Sequence, residues 1–298
     1  MEEVREYQPM KDKIVVVTGA NDGIGKETAL GLATLGATVV MACRNLEKAN
    51  SARDYIVNRS KNEKVHIVEL DLSNFDVVEK CATTINNDFK KVDVLLNNAG
   101  GYWSTREISD YGIERTFLVN HIGPFYLTHL LMDQIKLAKP ARVVTLSSVA
   151  HFGARGPWTS ESINGERGFR PFSAYSKSKL ANLLFAKGLA EKLDASCITS
   201  NAVHPGAVRS GFGMDGDLKG ISNLGNKIIR PFEISAKMGA RTSIYLASSN
   251  EVNQVTGKYF VRMHKSFTSR RAAKKIEIQE LWDLTLKMLE PIVKLPEL

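Results

Sequence analysis

The chain has 298 residues, 43% hydrophobic and 24% charged, which is ordinary globular usage with ample material for a full core. Lys and Arg total 40 against 32 acids, a net charge of +8 that suits phosphate-bearing ligands or an anionic membrane surface; the basic residues are dispersed, with no aromatic-interleaved stripe, so no nucleic-acid partner is expected. Cys43, Cys81 and Cys197 are widely spaced and the six histidines show no ligand spacing, so neither a disulfide framework nor a metal site is indicated. Residues 1–13 lack the apolar core of a signal peptide, and no run approaches the roughly 20 apolar residues of a membrane span. A reducing, cytoplasmic compartment is therefore expected.

Residues 13–17 read as a buried strand, followed by a glycine turn and a helix over 24–35. A second strand over 37–42 leads to a polar-faced helix over 46–59, a third over 65–70 to a helix over 75–88, and a fourth over 92–96 to a long helix over about 110–137. A fifth strand at 142–146, a helix at 172–192, a sixth strand at 197–203, a helix at 233–246 and a short strand at 258–261 complete the pattern. Continuous apolar strands alternating with helices predict a parallel sheet covered on both faces. Right-handed crossovers make it an α/β doubly wound (Rossmann-like) sheet, taken as a single domain over 1–298 with a C-terminal helical extension at about 272–298. Two stretches break the rhythm, about 150–171 and 206–231, and both are expected at the carboxyl ends of the strands as substrate loops.

The first strand runs into T-G-A-N-D-G-I-G at residues 18–25, a G-x-x-x-G-x-G spacing. Gly19 permits a tight turn, Gly23 lets backbone approach a pyrophosphate, and Gly25 allows close helix–strand packing, with Asn21, Asp22 and Ile24 between them. The helix start adds unpaired N–H groups and a positive dipole end. An NAD site wants a carboxylate at the end of the second strand; that place holds A-C-R-N, where Arg44 can pair with a 2′-phosphate. NADP(H) is favoured, with NAD(H) still admitted, and Asp22 cuts against an anionic ligand unless it faces solvent. Asp71, followed by Leu72, could bond the adenine amino group or cap a helix, although Ser73 or Asn74 suits a cap better. After the fourth strand comes N-N-A-G, where Asn98, Ala99 and Gly100 let backbone pass beneath a ribose and Asn98 can pin neighbouring strands.

Tyr175 and Lys179 lie four residues apart on the helix over 172–192, so hydroxyl and ammonium project from one face. A cation there favours the phenolate and makes the tyrosine a usable proton donor and acceptor. Taken alone, Y-x-x-x-K is common by chance on an ordinary surface helix, and its weight comes from the motifs around it.

With T-G-x-x-x-G-x-G, N-N-A-G, Asn120, Ser148, Y-x-x-x-K and Pro205-Gly206 occurring in this order, the chain resembles the short-chain dehydrogenase/reductase family from residue 13 to about 261. Within it, A-C-R-N at 42–45, V-N-H-I-G-P-F-Y-L-T at 119–128, Y-S-K-S-K-L-A-N at 175–182 and H-P-G-A-V-R-S at 204–210 are similar to the retinol-dehydrogenase-like branch. The resemblance implies an NADP(H)-dependent oxidoreductase acting on a carbonyl or alcohol. In it Tyr175 is proton donor or base, and Lys179 supports the tyrosine and the nicotinamide ribose. Ser148, rather than Ser147, faces the developing oxyanion. Asn120 would bend its helix and hold a water, and Pro205, Gly206, Ala207, Val208 and Ser210 would lie by the nicotinamide. Departures are the absence of an N-terminal anchor from this chain and Ser210 where threonine is usual.

An apolar substrate, retinal-like, steroid-like or a lipid aldehyde or ketone, is expected from Trp158, Phe169 and Phe172 in one loop and Phe212, Met214, Ile228, Ile229 and Phe232 in the other, which could equally be loop packing. Lys219, Lys227 and Arg230 could touch a membrane surface, and a homodimer through the helices preceding and containing the Tyr–Lys pair is a further candidate. The alternative function is a non-catalytic dinucleotide sensor or scaffold on the same fold.

Overall fold

β-Branched runs set the strands and asparagine or serine caps set many helix starts. The computed structural model describes residues 8–206, 208–209 and 234–298. In chain order, β1 (Ile14–Thr18), α1 (Gly23–Thr34), β2 (Thr38–Cys43), α2 (Leu46–Ser60), β3 (Val65–Glu69), α3 (Phe75–Asp88) and β4 (Val94–Asn97) form the first half. Asn45 and Asn74 cap α2 and α3 by accepting from the N–H of Lys48 and Val77. Then come α4 (Arg115–Phe117), a π turn (Leu118–Ile122), α5 (Gly123–Leu130), α6 (Met132–Leu137), β5 (Ala141–Leu146), α7 (Ser160–Asn164), α8 (Pro171–Lys192) and β6 (Ile198–His204). The strand pair β7 (Val208–Arg209) and β8 (Ile234–Ser235) precedes α9 (Ala236–Ser248), β9 (Tyr259–Val261), β10 (His264–Lys265) and α10 (Lys275–Leu289).

The main sheet has the order β10-β9-β6-β5-β4-β1-β2-β3, parallel except for β10. Alternate strand residues feed two cores. Val16, Val40, Leu95 and Val143 pack with α3, α5, α8 and α10 on one face. Val15, Val39, Leu96 and Val144 pack with α1, α2 and α9 on the other. The doubly wound sheet expected from the sequence is what forms. Chain order reverses beside β1, where β2 lies on one side and β4 on the other, and a crevice beyond the strand ends is the ordinary ligand position at such a point.

Three expectations change. The long helix over 110–137 starts only at Arg115. Residues before it make a turn at Gly112 (φ +73°) closed by an Ile108–Glu114 bridge, and the buried Glu114 carboxylate caps the N–H groups of Thr116 and Phe117. The final strand continues into an unforeseen hairpin, because Arg262 and Met263 take left-handed φ values of +50° and +68° and turn β10 back on β9. The loop over 150–171 carries a 3₁₀ turn (Val149–Gly153) and α7, and α8 begins at Pro171, whose missing N–H costs nothing in a first turn.

α8 is buried nearly all round because α10 covers its outer side. Trp282 stacks near Phe185 and meets Phe125 edge-on, and a Cβ at Gly188 would come within 2.9 Å of the Trp282 ring. Among the described residues, no helix is long and apolar enough to cross a membrane.

Candidate active site

The turn after β1 packs so closely that only glycine fits. Gly19 and Gly23 have φ of +65° and +53°. A Cβ at Gly25 would sit 2.1 Å from the Gly19 carbonyl oxygen and 2.5 Å from Asn98 Nδ2. Asn98 Nδ2 donates to the Thr18 carbonyl at 2.7 Å, and the Thr18 hydroxyl accepts from the N–H of Asn98 and Ala99, so the ends of β1 and β4 are joined. Asp22 is exposed; its carboxylate caps α1 by accepting from the Gly23 N–H at 2.6 Å. Asn21 and Ile24 are half-buried beside it. Beneath the turn lies the Cys43 thiol, pushed up to about 11 by burial and so neutral, facing the backbone of Ala20 and Asn21. Gly25→Ala is expected to cost roughly 1–3 kcal/mol of stability, as overpacking against fixed backbone does. Thermal unfolding checks this; an unchanged melting point would mean that the turn can open without cost.

Arg44 is exposed at the end of β2. Asp71 is half-buried, and its carboxylate accepts from the Ser73 N–H (2.9 Å) and hydroxyl (2.6 Å), while Asn74 caps α3. Leu72 is buried, and a Cβ at Gly123 would come 2.5 Å from its carbonyl oxygen.

Tyr175 and Lys179 emerge from the same side of α8. The Lys179 ammonium lies 5.5 Å from the Tyr175 ring centroid, 3.4 Å from the Leu146 carbonyl and beside Gly100, where a Cβ would be 3.3 Å away. Burial pushes the Lys179 pKa down to about 8. Burial pushes Tyr175 up to about 12, against the pull of a hydrogen bond with Ser148. The two serines after β5 part company here. Ser147 is buried and donates to the Lys179 carbonyl at 2.6 Å, tying β5 to α8. Ser148 is the one that reaches Tyr175.

Asn120 lies within the π turn, and its side chain spans two elements. Its Oδ1 accepts from the Gly101 N–H (2.7 Å), and its Nδ2 donates to the Gly101 carbonyl (2.9 Å) and to the Ser178 hydroxyl (2.9 Å). Ser178 in turn donates to the Tyr175 carbonyl at 2.8 Å. The N-N-A-G loop is thus clamped to the helix that bears the pair. Pro205 and Gly206 (φ +97°) are half-buried just past β6. Val208 is described only as part of β7. Ala207, Ser210 and, in the second loop, Phe212, Met214, Lys219, Lys227, Ile228, Ile229, Arg230 and Phe232 lie outside the described residues.

Two residues at the site carry no pattern in the sequence. Tyr102, next to the Asn120 clamp, meets the Tyr175 ring edge-on at 5.6 Å, and His151 lies three residues after Ser148. The aromatic wall expected of the first loop is altered. Trp158 turns into the body, where its indole N–H donates to Glu277 at 2.6 Å and Arg271 lies over its ring. Phe169 is half-buried, and Phe172 is 60% exposed. Val149 and Phe152, beside Ser148, are exposed as well. A turn only glycine can make, a basic end to β2, and Gly100 against Lys179 together fit a nicotinamide dinucleotide.

The sequence matches the short chain dehydrogenase family over residues 13–218. It is 39% identical to retinol dehydrogenase 12 of Mus musculus over 277 residues, 93% of this chain and 86% of that protein. It is 37% identical to retinol dehydrogenase 13 of Homo sapiens over 279 residues, 91% of this chain and 82% of that one. The crystal structure of an uncharacterized protein from Mycobacterium paratuberculosis superposes with a TM-score of 0.75 at 32% identity, covering 97% of this chain and 96% of its own.

Proposed function

The chain belongs to the short-chain dehydrogenase/reductase family, in its retinol-dehydrogenase-like branch, and is an oxidoreductase acting on CH–OH groups with NAD(P); from that premise we propose that it reduces an apolar aldehyde or ketone, retinal-like, steroid-like or lipid-derived, with NADPH, reversibly. The observation that carries this reading is Tyr175 held between the Ser148 hydroxyl and the Lys179 ammonium. The exposed Val149, Phe152 and Phe172 rim supports an apolar substrate, since all three border Ser148 or the start of the Tyr175 helix. Retinol dehydrogenase relatives are consistent with that class.

In the proposed assignment, the Gly19–Gly25 turn with Asn21, Asp22 and Ile24 holds the pyrophosphate, and Arg44 the 2′-phosphate. Asp71 and Leu72 border the adenine, Asn98, Ala99 and Gly100 the adenosine ribose, and Pro205, Gly206, Val208 and Ser210 the nicotinamide. NADPH supplies a hydride when bound. Tyr175, a neutral phenol at pH 7, gives its proton to the substrate oxygen, and Ser148 donates a hydrogen bond to that same oxygen. Lys179, beside the ring, stabilises the phenolate left behind. Asn120 keeps Gly101 and the Tyr175 helix in register.

Stopped-flow loss of NADPH absorbance with a panel of apolar aldehydes tests the reading; cofactor binding without turnover on any of them would count decisively against it. The pH dependence is directional. Tyr175 remains protonated to about 12, whereas Lys179 loses its charge near 8. Reduction kcat/KM is therefore expected to hold level from pH 6 to 7.5 and to fall above about 8, as the cation beside the phenol disappears. A profile that rises through pH 9 would show that Lys179 is not needed as a cation.

A further inference from the structure

Ser148 stands where β5 gives way to the 3₁₀ turn Val149–Gly153, and its hydroxyl caps that turn by accepting from the Ala150 N–H at 3.2 Å. Val149 and Phe152 are 51% and 55% exposed, while His151 is the buried member at 1%. His151 Nδ1 lies 2.6 Å from the Ser148 carbonyl oxygen, and its backbone N–H donates to the same oxygen at 3.1 Å. On the other side of the ring, Nε2 lies 3.1 Å from the Ser269 backbone nitrogen. A carbonyl can only accept and a backbone N–H only donate, so the ring is neutral with its proton on Nδ1. Tyr259 meets the ring edge-on at 5.1 Å and Phe152 packs at 4.2 Å. The charged and titratable groups that face it are Lys187 from α8 and His204 from β6, the latter beside Arg262. Burial and Lys187 both push the His151 pKa below its ordinary value, against the Ser148 carbonyl, so the neutral ring persists around pH 7.

We propose that His151 is a positioning residue of this site: the Nδ1–H of its neutral ring, a tautomer fixed by the Ser269 N–H at Nε2, holds the Ser148 peptide and thereby keeps the Ser148 hydroxyl on Tyr175. The proposal rests on the reading of Ser148 and Tyr175 given above. Its consequence follows from the hydrogen bond that draws the Tyr175 pKa down against burial. Tyr175 is faced by Ser148, Tyr102 and Lys179. Once Ser148 is loosened, Tyr102 and Lys179 remain but the Ser148 pull is lost, and the phenolate needed for alcohol oxidation forms only at higher pH.

Three variants separate the two arms of the ring. His151→Asn puts an amide donor at the Nδ1 position, His151→Gln an amide oxygen at the Nε2 position, and His151→Ala neither. In alcohol oxidation, the Asn variant is expected to keep kcat within about threefold and the wild-type pH limb. The Gln and Ala variants should lose roughly tenfold in kcat and move the limb upward by about one pH unit, the size of a lost hydrogen bond to a charged group. Amide hydrogen exchange of residues 148–153 in the cofactor-free protein should accelerate in the Gln and Ala variants and not in Asn. Asn and Gln variants alike in both pH limb and exchange overturn the proposal, and this pair decides the matter even if the Ala variant fails to fold. A Tyr175→Phe enzyme as active as wild type overturns the parent reading instead. Active wild type, inactive Tyr175→Phe and unmoved His151 variants overturn the role of His151 alone.

Discussion

Tyr175→Phe is expected to lower kcat for aldehyde reduction by about 10²–10⁴-fold while leaving NADPH affinity within about twofold, the range for removal of a positioned general acid. The substitution deletes one hydroxyl and keeps the ring, so the edge-on contact with Tyr102 and the packing beneath Lys179 survive. The helix is unaffected, because the Tyr175 backbone is held through Ser178 and Asn120 rather than through the phenol. Burial places the phenol near 12, and oxidation near pH 7 must therefore overcome about five pH units, roughly 7 kcal/mol, without further help. Reduction meets no such obstacle, and the loss should be read in that direction first. Single-turnover NADPH consumption, with fluorescence titration of the cofactor, measures both quantities. An undiminished rate would place the proton donor elsewhere. Tight NADPH binding with no rate in the parent enzyme would instead favour the dinucleotide-sensing alternative.

Strands β1, β2 and β5 were legible because each is a short run rich in β-branched residues and almost wholly buried, and observed and expected bounds differ by one residue. The glycine turn was legible for the same kind of reason: its residues are adjacent in sequence, so the constraint is local. What stayed hidden depends on distant partners. The resemblance pointed to a bend at Asn120, but the clamp that its side chain makes on Gly101, nineteen positions away, has no local signal. Tyr102 follows the N-N-A-G motif as an ordinary loop aromatic, and its place against Tyr175 appears only when β4 and α8 are brought together. Trp158 could be read as pocket wall or as loop packing, because type and loop position do not separate the two; Arg271 and Glu277, far along the chain, draw it inward. Ser147 and Ser148 are indistinguishable by type, and strand alternation sends one to the Lys179 carbonyl and the other to Tyr175.

Arg44→Asp is expected to reverse cofactor preference, weakening NADPH by about 100-fold and strengthening NADH severalfold. Arg44 directly follows the last residue of β2 and is exposed, so the substitution disturbs no packing. Asn45, not Arg44, caps α2, and that bond to the Lys48 N–H remains. A charge-assisted hydrogen bond of arginine with a phosphate is worth about 1.5–3 kcal/mol, or roughly 10–150-fold in affinity. An aspartate at the same point removes that gain and repels a 2′-phosphate, while offering two acceptors to free ribose hydroxyls. Arg44→Ala separates the two effects, since it should weaken NADPH and leave NADH nearly unchanged. Salt gives an independent check. Because Arg44 is solvent-exposed, wild-type NADPH affinity should fall with ionic strength more steeply than that of the alanine variant. Equal dissociation constants for both cofactors across all three proteins would remove Arg44 from the binding site and with it the physical basis for NADPH over NADH.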